Sequence, residues 1–426
     1  MKYREKKENV QNKQKNKGEK GNKIHSNSAL LSTCDVPAKT IFCIFCMDDV
    51  NCNMEDNQTT EYSYLNNSVY HRYSWPVGIF KEFCPVALYV DRYVTIVWYI
   101  IGLFTNPISA FLWMQPRIRR NNSSAIYLAA LSITDFMFLW LHFINELQIA
   151  WGISTVAYTG ICELYNFIYM IPQYMAPLIV LAFTVERWIA VCKPFQKEKY
   201  CTVNRAIYVV CGLIVTCTSL ASIQIYIWYY DEKFQICTYR EGQIENYSFT
   251  IIWNWLSELT IFGIVPIFVL LFNIQVIREI RKITKSNPIQ IPYQTTTSNS
   301  NAASTITLLS ISFYLIFTTL PVTLVFVVES NIHLGNFNMT DQEIRSDPVW
   351  NRYFTFLAIR RFTEELCFSH YACYFFVYCL TGPQFRRAFI SYVPRKLCPA
   401  VKSKHVGYTS VAGNGRTGNE TCTTYV

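Results

Sequence analysis

The chain has 426 residues, is 51% hydrophobic and only 16% charged, and carries a formal net charge of +9. So low a charge fraction argues against a soluble protein of this length. The basic residues sit beside long apolar runs, so a membrane surface accounts for them better than nucleic acid, and no nucleic-acid partner is expected.

Residues 1–23 carry nine Lys or Arg and read as a solvated tail. The stretch up to residue 90 is expected to be extracellular and largely disordered. It offers no convincing signal peptide, since "TIFCIFCM" is short and late. Cys43 and Cys46 have metal-ligand spacing, but no second pair or His cluster completes a site, so no metal is expected. Seven runs of the length that crosses a bilayer follow, near 93–113, 125–147, 164–185, 206–229, 249–275, 303–328 and 353–380. Arg117, Arg119 and Arg120 follow the first run, Arg187 to Arg205 the third, and Arg278 to Lys285 the fifth. Fewer basic residues follow the even runs, so the odd loops face the cytoplasm, with the N-terminus outside and the C-terminus inside. Sequons at Asn57, Asn66, Asn246 and Asn338 fall on the outer side, as glycosylation requires.

Cys162 opens the third run at its outer end and Arg187 closes it at the inner end, a helical distance of about 37 Å that spans the bilayer core. Glu186 and Trp188 flank Arg187. Asn106 lies in the first run and Asp135 in the second, within "YLAALSITDF". Pro266 and Pro321 interrupt the fifth and sixth. The seventh ends "YFFVYCLTGPQFRRAF", which contains Tyr378 and an amphipathic stretch from Phe385. Over roughly residues 90–392 this joint pattern resembles rhodopsin-like G-protein-coupled receptors.

The resemblance implies an all-α membrane protein: a seven-helix bundle with a short amphipathic eighth helix. The divisions are an outer tail (1–90), the seven-helix domain (91–380) and a cytoplasmic tail (381–426). It implies a multi-pass protein of the plasma membrane, coupled to a heterotrimeric G protein, with arrestin and a receptor kinase as further partners. It implies a Cys162–Cys237 disulfide, two free thiols being the alternative. Glu186, Arg187, Trp188 and Tyr378 take the family's switch positions, and Pro266 and Pro321 its helix bends. Asn106 and Asp135 stand where the family holds sodium, although a neutral Asp135 that merely joins helices is also consistent. Thr319 replaces the family's sixth-span tryptophan, and Tyr374-Phe375 its Asn-Pro. No acid stands at the inner end of the sixth span to hold Arg187, so weak resting restraint is expected.

The seventh run contains no lysine for retinal, and Tyr169 stands where amine receptors have aspartate. Polar residues crowd the outer half instead: Asn145, Glu146, Tyr169, Gln173, Glu258, Arg360 and Glu364. Arg360–Glu364 and Arg361–Glu365 have the spacing of intrahelical ion pairs, the bland alternative to ligand contact. Glu258 is the only charge in its run, and a carboxylate at membrane depth is costly unless it is used. The set suits a short peptide with a basic or amidated end, and the ending of the seventh run resembles invertebrate neuropeptide receptors of the FMRFamide type. A transporter or channel is the competing class, as is a receptor for a non-peptide ligand, but no internal repeat appears. No nucleophile, phosphate loop or cofactor site points to an enzyme. The last residues, "TTYV", offer Thr424 and the terminal Val426 to a PDZ-type domain.

Overall fold

A computed structural model describes residues 69–73, 77–120, 122–232, 236–240, 244–286, 296–329 and 331–392. All fall in the unit Ala38–Val426. Asn57, Asn66, Thr424 and Val426 lie outside the described residues, and Asn246 sits on a helix turn whose side chains are likewise outside them.

Among the described residues, six helices are long and apolar enough to cross a membrane. They are α1 (Pro85–Met114), α2 (Ser123–Ile149), α3 (Ile161–Cys192), α4 (Val203–Ile227), α5 (Ile252–Lys285) and α6, whose full helix is Thr296–Glu329. A seventh long helix, α7 (Pro348–Thr381), packs against α6 and α1. It is less apolar because Arg360, Arg361, Glu364 and Glu365 lie in its outer half, yet all four are buried inside the bundle. Phe104, Phe317, Leu324 and Leu380 are exposed instead, as lipid-facing side chains must be. After Gly382 the short α8 (Pro383–Tyr392) follows, and its buried Phe385 lies against Trp113 and Tyr378. α3 touches α2, α4, α5 and α6, so it runs through the middle of the bundle. Gly102 permits a close crossing, since an added Cβ would fall 2.1 Å from Leu139 Cδ1 and 3.1 Å from Ala372 Cα.

The bundle is thus the expected one, with two local corrections. First, α1 starts at Pro85, before residue 91 where the seven-helix domain was expected to begin. A π turn, Val90–Val94, carries Asp91 inward to 3% exposure, where Arg361 faces it. An acid that looked like the edge of a span is therefore inside one. The expected disordered tail also contains helices, Val69–Arg72 and Val77–Phe83. Ile79 and Phe80 join Ile344, Trp350 and Phe354 in a second hydrophobic core outside the main one. Second, α4 ends at Ile227, and Trp228 starts a strand rather than finishing the helix. The aromatic run Trp228–Tyr230 favours extended pairing, and β1 (Trp228–Asp231) pairs antiparallel with β2 (Ile236–Tyr239). Pro266, expected to bend its helix, is preceded by a π turn, Leu259–Ile264. Proline cannot donate to the carbonyl four residues back, Phe262. Thr323 on α6 donates to it instead, at 2.8 Å. Pro321 sits within the continuous α6, and Pro107, Pro172 and Pro177 are further helix-interior prolines.

Candidate ligand cavity and cytoplasmic face

At the outer end of α3, Cys162 is bonded to Cys237, with Cα atoms 5.6 Å apart. Cys237 lies on β2 opposite Tyr230, so the bridge ties the hairpin to the top of α3. Asn166, one turn below Cys162, donates to its carbonyl at 2.9 Å.

Beneath lies a cleft open to the outer face. Phe138, His142 and Asn145 reach it from α2, Tyr169 and Gln173 from α3, and Glu258 and Phe262 from the α5 stretch. Thr319 and Val322 come from α6; Glu364, Cys367, Phe368 and Tyr371 come from α7. Of the expected ligand residues, Asn145, Tyr169, Gln173, Glu258 and Glu364 are brought together here. Glu146 and Arg360 are buried but do not line the cleft. Gln173 is fully buried, and neither its amide nitrogen nor its oxygen has a partner in the protein. Tyr99 and His142 share a 2.5 Å hydrogen bond behind the α2 wall.

Arg360 and Arg361 are committed elsewhere. Arg360 Nε donates to Glu364 Oε1 at 2.8 Å, and its Nη1 to Glu329 at the end of α6. Of the two intrahelical pairs weighed as the alternative, Arg360–Glu364 forms and Arg361–Glu365 does not. Arg361 Nη1 meets Glu364 Oε2 at 3.2 Å, and its Nε lies 3.4 Å from Asp91 Oδ2, an ion pair without hydrogen-bond alignment. Glu365 instead accepts from Thr95 on α1. The longer-range partner wins because α1 stands directly beside that face of α7.

Lower in the bundle, Asn106 Nδ2 donates to the Tyr371 carbonyl at 2.8 Å. Asp135 is fully buried, and neither carboxylate oxygen has a hydrogen-bond partner in the protein; nor does Asn106 Oδ1. Tyr371, Tyr374 and Tyr378 lie within electrostatic reach of Asp135.

At the inner end, Glu186 and Arg187 are both buried and 3.3 Å apart. Arg187 also donates to Ser124, and Ser123 donates to Glu186. Ser304 on α6 donates to Ser124 at 2.9 Å. The absent acid on α6 is thus replaced by a hydroxyl relay, which no charge pattern would disclose. Trp188 points away from this group and donates to Gln275 on α5 at 2.7 Å. Tyr378 is buried among Trp113, Tyr374 and Phe385. Nearby Cys201 lies between α3 and α4. Burial, and then the Glu186 charge, push its thiol up to about 11, so it stays a protonated and unreactive thiol at neutral pH.

Several lining residues were not singled out in the sequence. Cys367, Phe368 and Tyr371 follow Glu364 at helical spacing, and His142 and Phe138 precede Glu146 likewise. Extending those two faces by two turns would have found them. Asp91 and Glu329 carried no such signal.

Residues 108–361, from within α1 to within α7, match the profile described as 7 transmembrane receptor (rhodopsin family). An FMRFamide peptide receptor of Caenorhabditis elegans is 29% identical over 123 residues, 28% of this chain and 28% of its own. The thyrotropin-releasing hormone receptor of Homo sapiens is 24% identical over 192 residues, covering 44% of this chain and 47% of the relative. Neuropeptide receptor 18 of C. elegans is 30% identical over 112 residues, 25% and 22% of the two chains. The chain therefore spans less than half the length of the curated relatives it matches. The seven-helix bundle and the matched span together place the chain in the rhodopsin family of seven-transmembrane receptors.

Proposed function

We propose that the chain is a plasma-membrane receptor that converts binding of an extracellular peptide bearing a cationic group into activation of a heterotrimeric G protein. One observation carries this reading: the cleft is lined by Glu258 and Glu364 and by no Lys or Arg. Carboxylates that face a cleft with no basic side chain in its wall attract a cationic ligand group. The relatives, named as receptors for an FMRFamide peptide, a releasing hormone and a neuropeptide, agree with a peptide. A transporter loses its ground, because the matched family is one of receptors. The test is a screen of basic and amidated peptides on cells that express the chain with a calcium or cyclic-AMP reporter. Silence throughout, with the receptor at the surface, would remove the peptide from the reading.

Glu258 provides a sharper check. It is buried near Tyr174, and Glu258→Gln keeps the shape while removing the charge. Potency of a cationic peptide should fall roughly tenfold to a hundredfold, the worth of a charged hydrogen bond. The same peptide with its basic group neutralised should lose little. Equal losses would assign Glu258 to structure alone.

Sodium fits the lower site. Asp135 and the Asn106 amide offer hard oxygen donors with no partner in the protein. Bound there, the ion would neutralise Asp135. Replacing external sodium with a large organic cation should change ligand-free signalling in the wild type and not in Asp135→Asn; identical responses would dismiss the ion. Arrestin, a receptor kinase and a PDZ-type domain at Thr424–Val426 belong to the same reading. An outer glycan at the exposed Asn338 does too. Proximity labelling of the intact receptor, with and without one added C-terminal Gly, checks the PDZ partner.

A further inference from the structure

The outer half of the bundle buries more acid than base. Asp91 on α1, Glu146 on α2, Glu329 on α6, and Glu364 and Glu365 on α7 share their surroundings with Arg360 and Arg361. Of these seven, Glu364 alone lines the cleft. Its two oxygens are divided between the guanidinium groups, Oε1 with Arg360 at 2.8 Å and Oε2 with Arg361 at 3.2 Å. Arg360 then continues to Glu329, the last residue of α6. One guanidinium thus joins the wall of the cleft to the end of α6.

The inner face of the same structure is closed. Arg187 is buried, and Ser304 ties α6 to Ser124. The Arg360 bridge is therefore a contact of the resting arrangement. α6 is continuous from Thr296 to Glu329, so freeing its outer end bears on Ser304 at the other.

We propose that Arg360 latches the outer end of α6 to α7 in the resting receptor, and that a cationic ligand group arriving at Glu364 loosens the latch. The proposal rests on the receptor reading above. A second cation at Glu364 meets the Arg360 guanidinium as a like charge and disfavours the arrangement that holds both there, and at this burial salt does little to screen the repulsion. The ligand then acts by preferring the unlatched state, as any agonist must.

The test uses the full chain in cells, reading ligand-free signalling per surface-labelled receptor. Glu329→Gln and Arg360→Gln should each raise it several-fold, and the double variant should go no higher than the larger single. Unchanged signalling in Glu329→Gln, or additive rises, overturns the latch. If Arg360→Gln fails to reach the surface, Glu329→Gln decides, since its side chain is 13% exposed and accepts an amide more readily. N-acetylargininamide at millimolar concentration should raise wild-type signalling and leave Glu364→Gln unmoved, while uncharged N-acetylcitrullinamide should do neither. Equal effects of the two amides, or none, overturn the cation step. A wild type that answers peptides but shows no change in Glu329→Gln sinks the latch alone. A wild type silent to every peptide sinks the receptor reading itself.

Discussion

Arg187→Ala, compared at equal surface density, is expected to lose G-protein coupling. Two roles converge on this residue. In the resting arrangement its guanidinium holds Glu186 and Ser124, and through Ser124 it is joined to Ser304 on α6. On the proposed receptor reading, movement of α6 would leave the same group as the free cation at the cytoplasmic end of α3. Removing it also strands the buried Glu186, which costs about 3 kcal/mol where no other partner compensates. Ser123 remains as a donor to Glu186, so folding should survive while coupling does not. Arg187→Lys keeps the charge but not the fork of donors, and should recover surface expression better than coupling. The relay is checked separately. Ser304→Ala removes one hydrogen bond, worth about 0.5–1.5 kcal/mol, and should raise ligand-free signalling roughly two- to tenfold. Undiminished coupling in Arg187→Ala would remove the residue from the switch.

The second large effect is expected outside. Cys162→Ser and Cys237→Ser should each strip most of the receptor from the surface. The bridge closes a loop with a sequence separation of 75, for which chain entropy alone gives about 4 kcal/mol. Each single variant also leaves an unpaired thiol beside Asn166. The double variant should be no worse than either single one, because both changes remove the same bond. Surface labelling and radiolabelled or fluorescent peptide binding measure this. Losses that add would mean that the two cysteines act independently.

The spans were legible because the hydrocarbon core demands an unbroken apolar length, and six of the seven meet it outright. The cleft was partly legible because polar groups at membrane depth stand out one by one: Gln173, Glu258 and Glu364 needed only the helix count. What was hidden depends on neighbours distant in sequence. Asp91 reads as the end of a span until Arg361, far along the chain, is placed beside it. Arg361 and Glu365 have ideal spacing for each other, yet each takes a partner on α1. Ser124 and Ser304 are ordinary small residues until α2, α3 and α6 meet. The strand at Trp228 was masked because an aromatic run continues an apolar helix as readily as it starts a hairpin.

The small outer core has a consequence for how the chain is made. Val69 donates to the Phe337 carbonyl at 2.8 Å, and Arg72 to Met339 across a sequence separation of 267. Ile79 and Phe80 are covered by Trp350 and Phe354. A ribosome delivers the first group on the order of ten seconds to a minute before the second. Through that interval the earliest apolar side chains lack the partners that cover them in the finished fold. Substitutions at Phe80 or Trp350 should therefore appear as retention and degradation of new chains, well before any mature receptor meets a ligand.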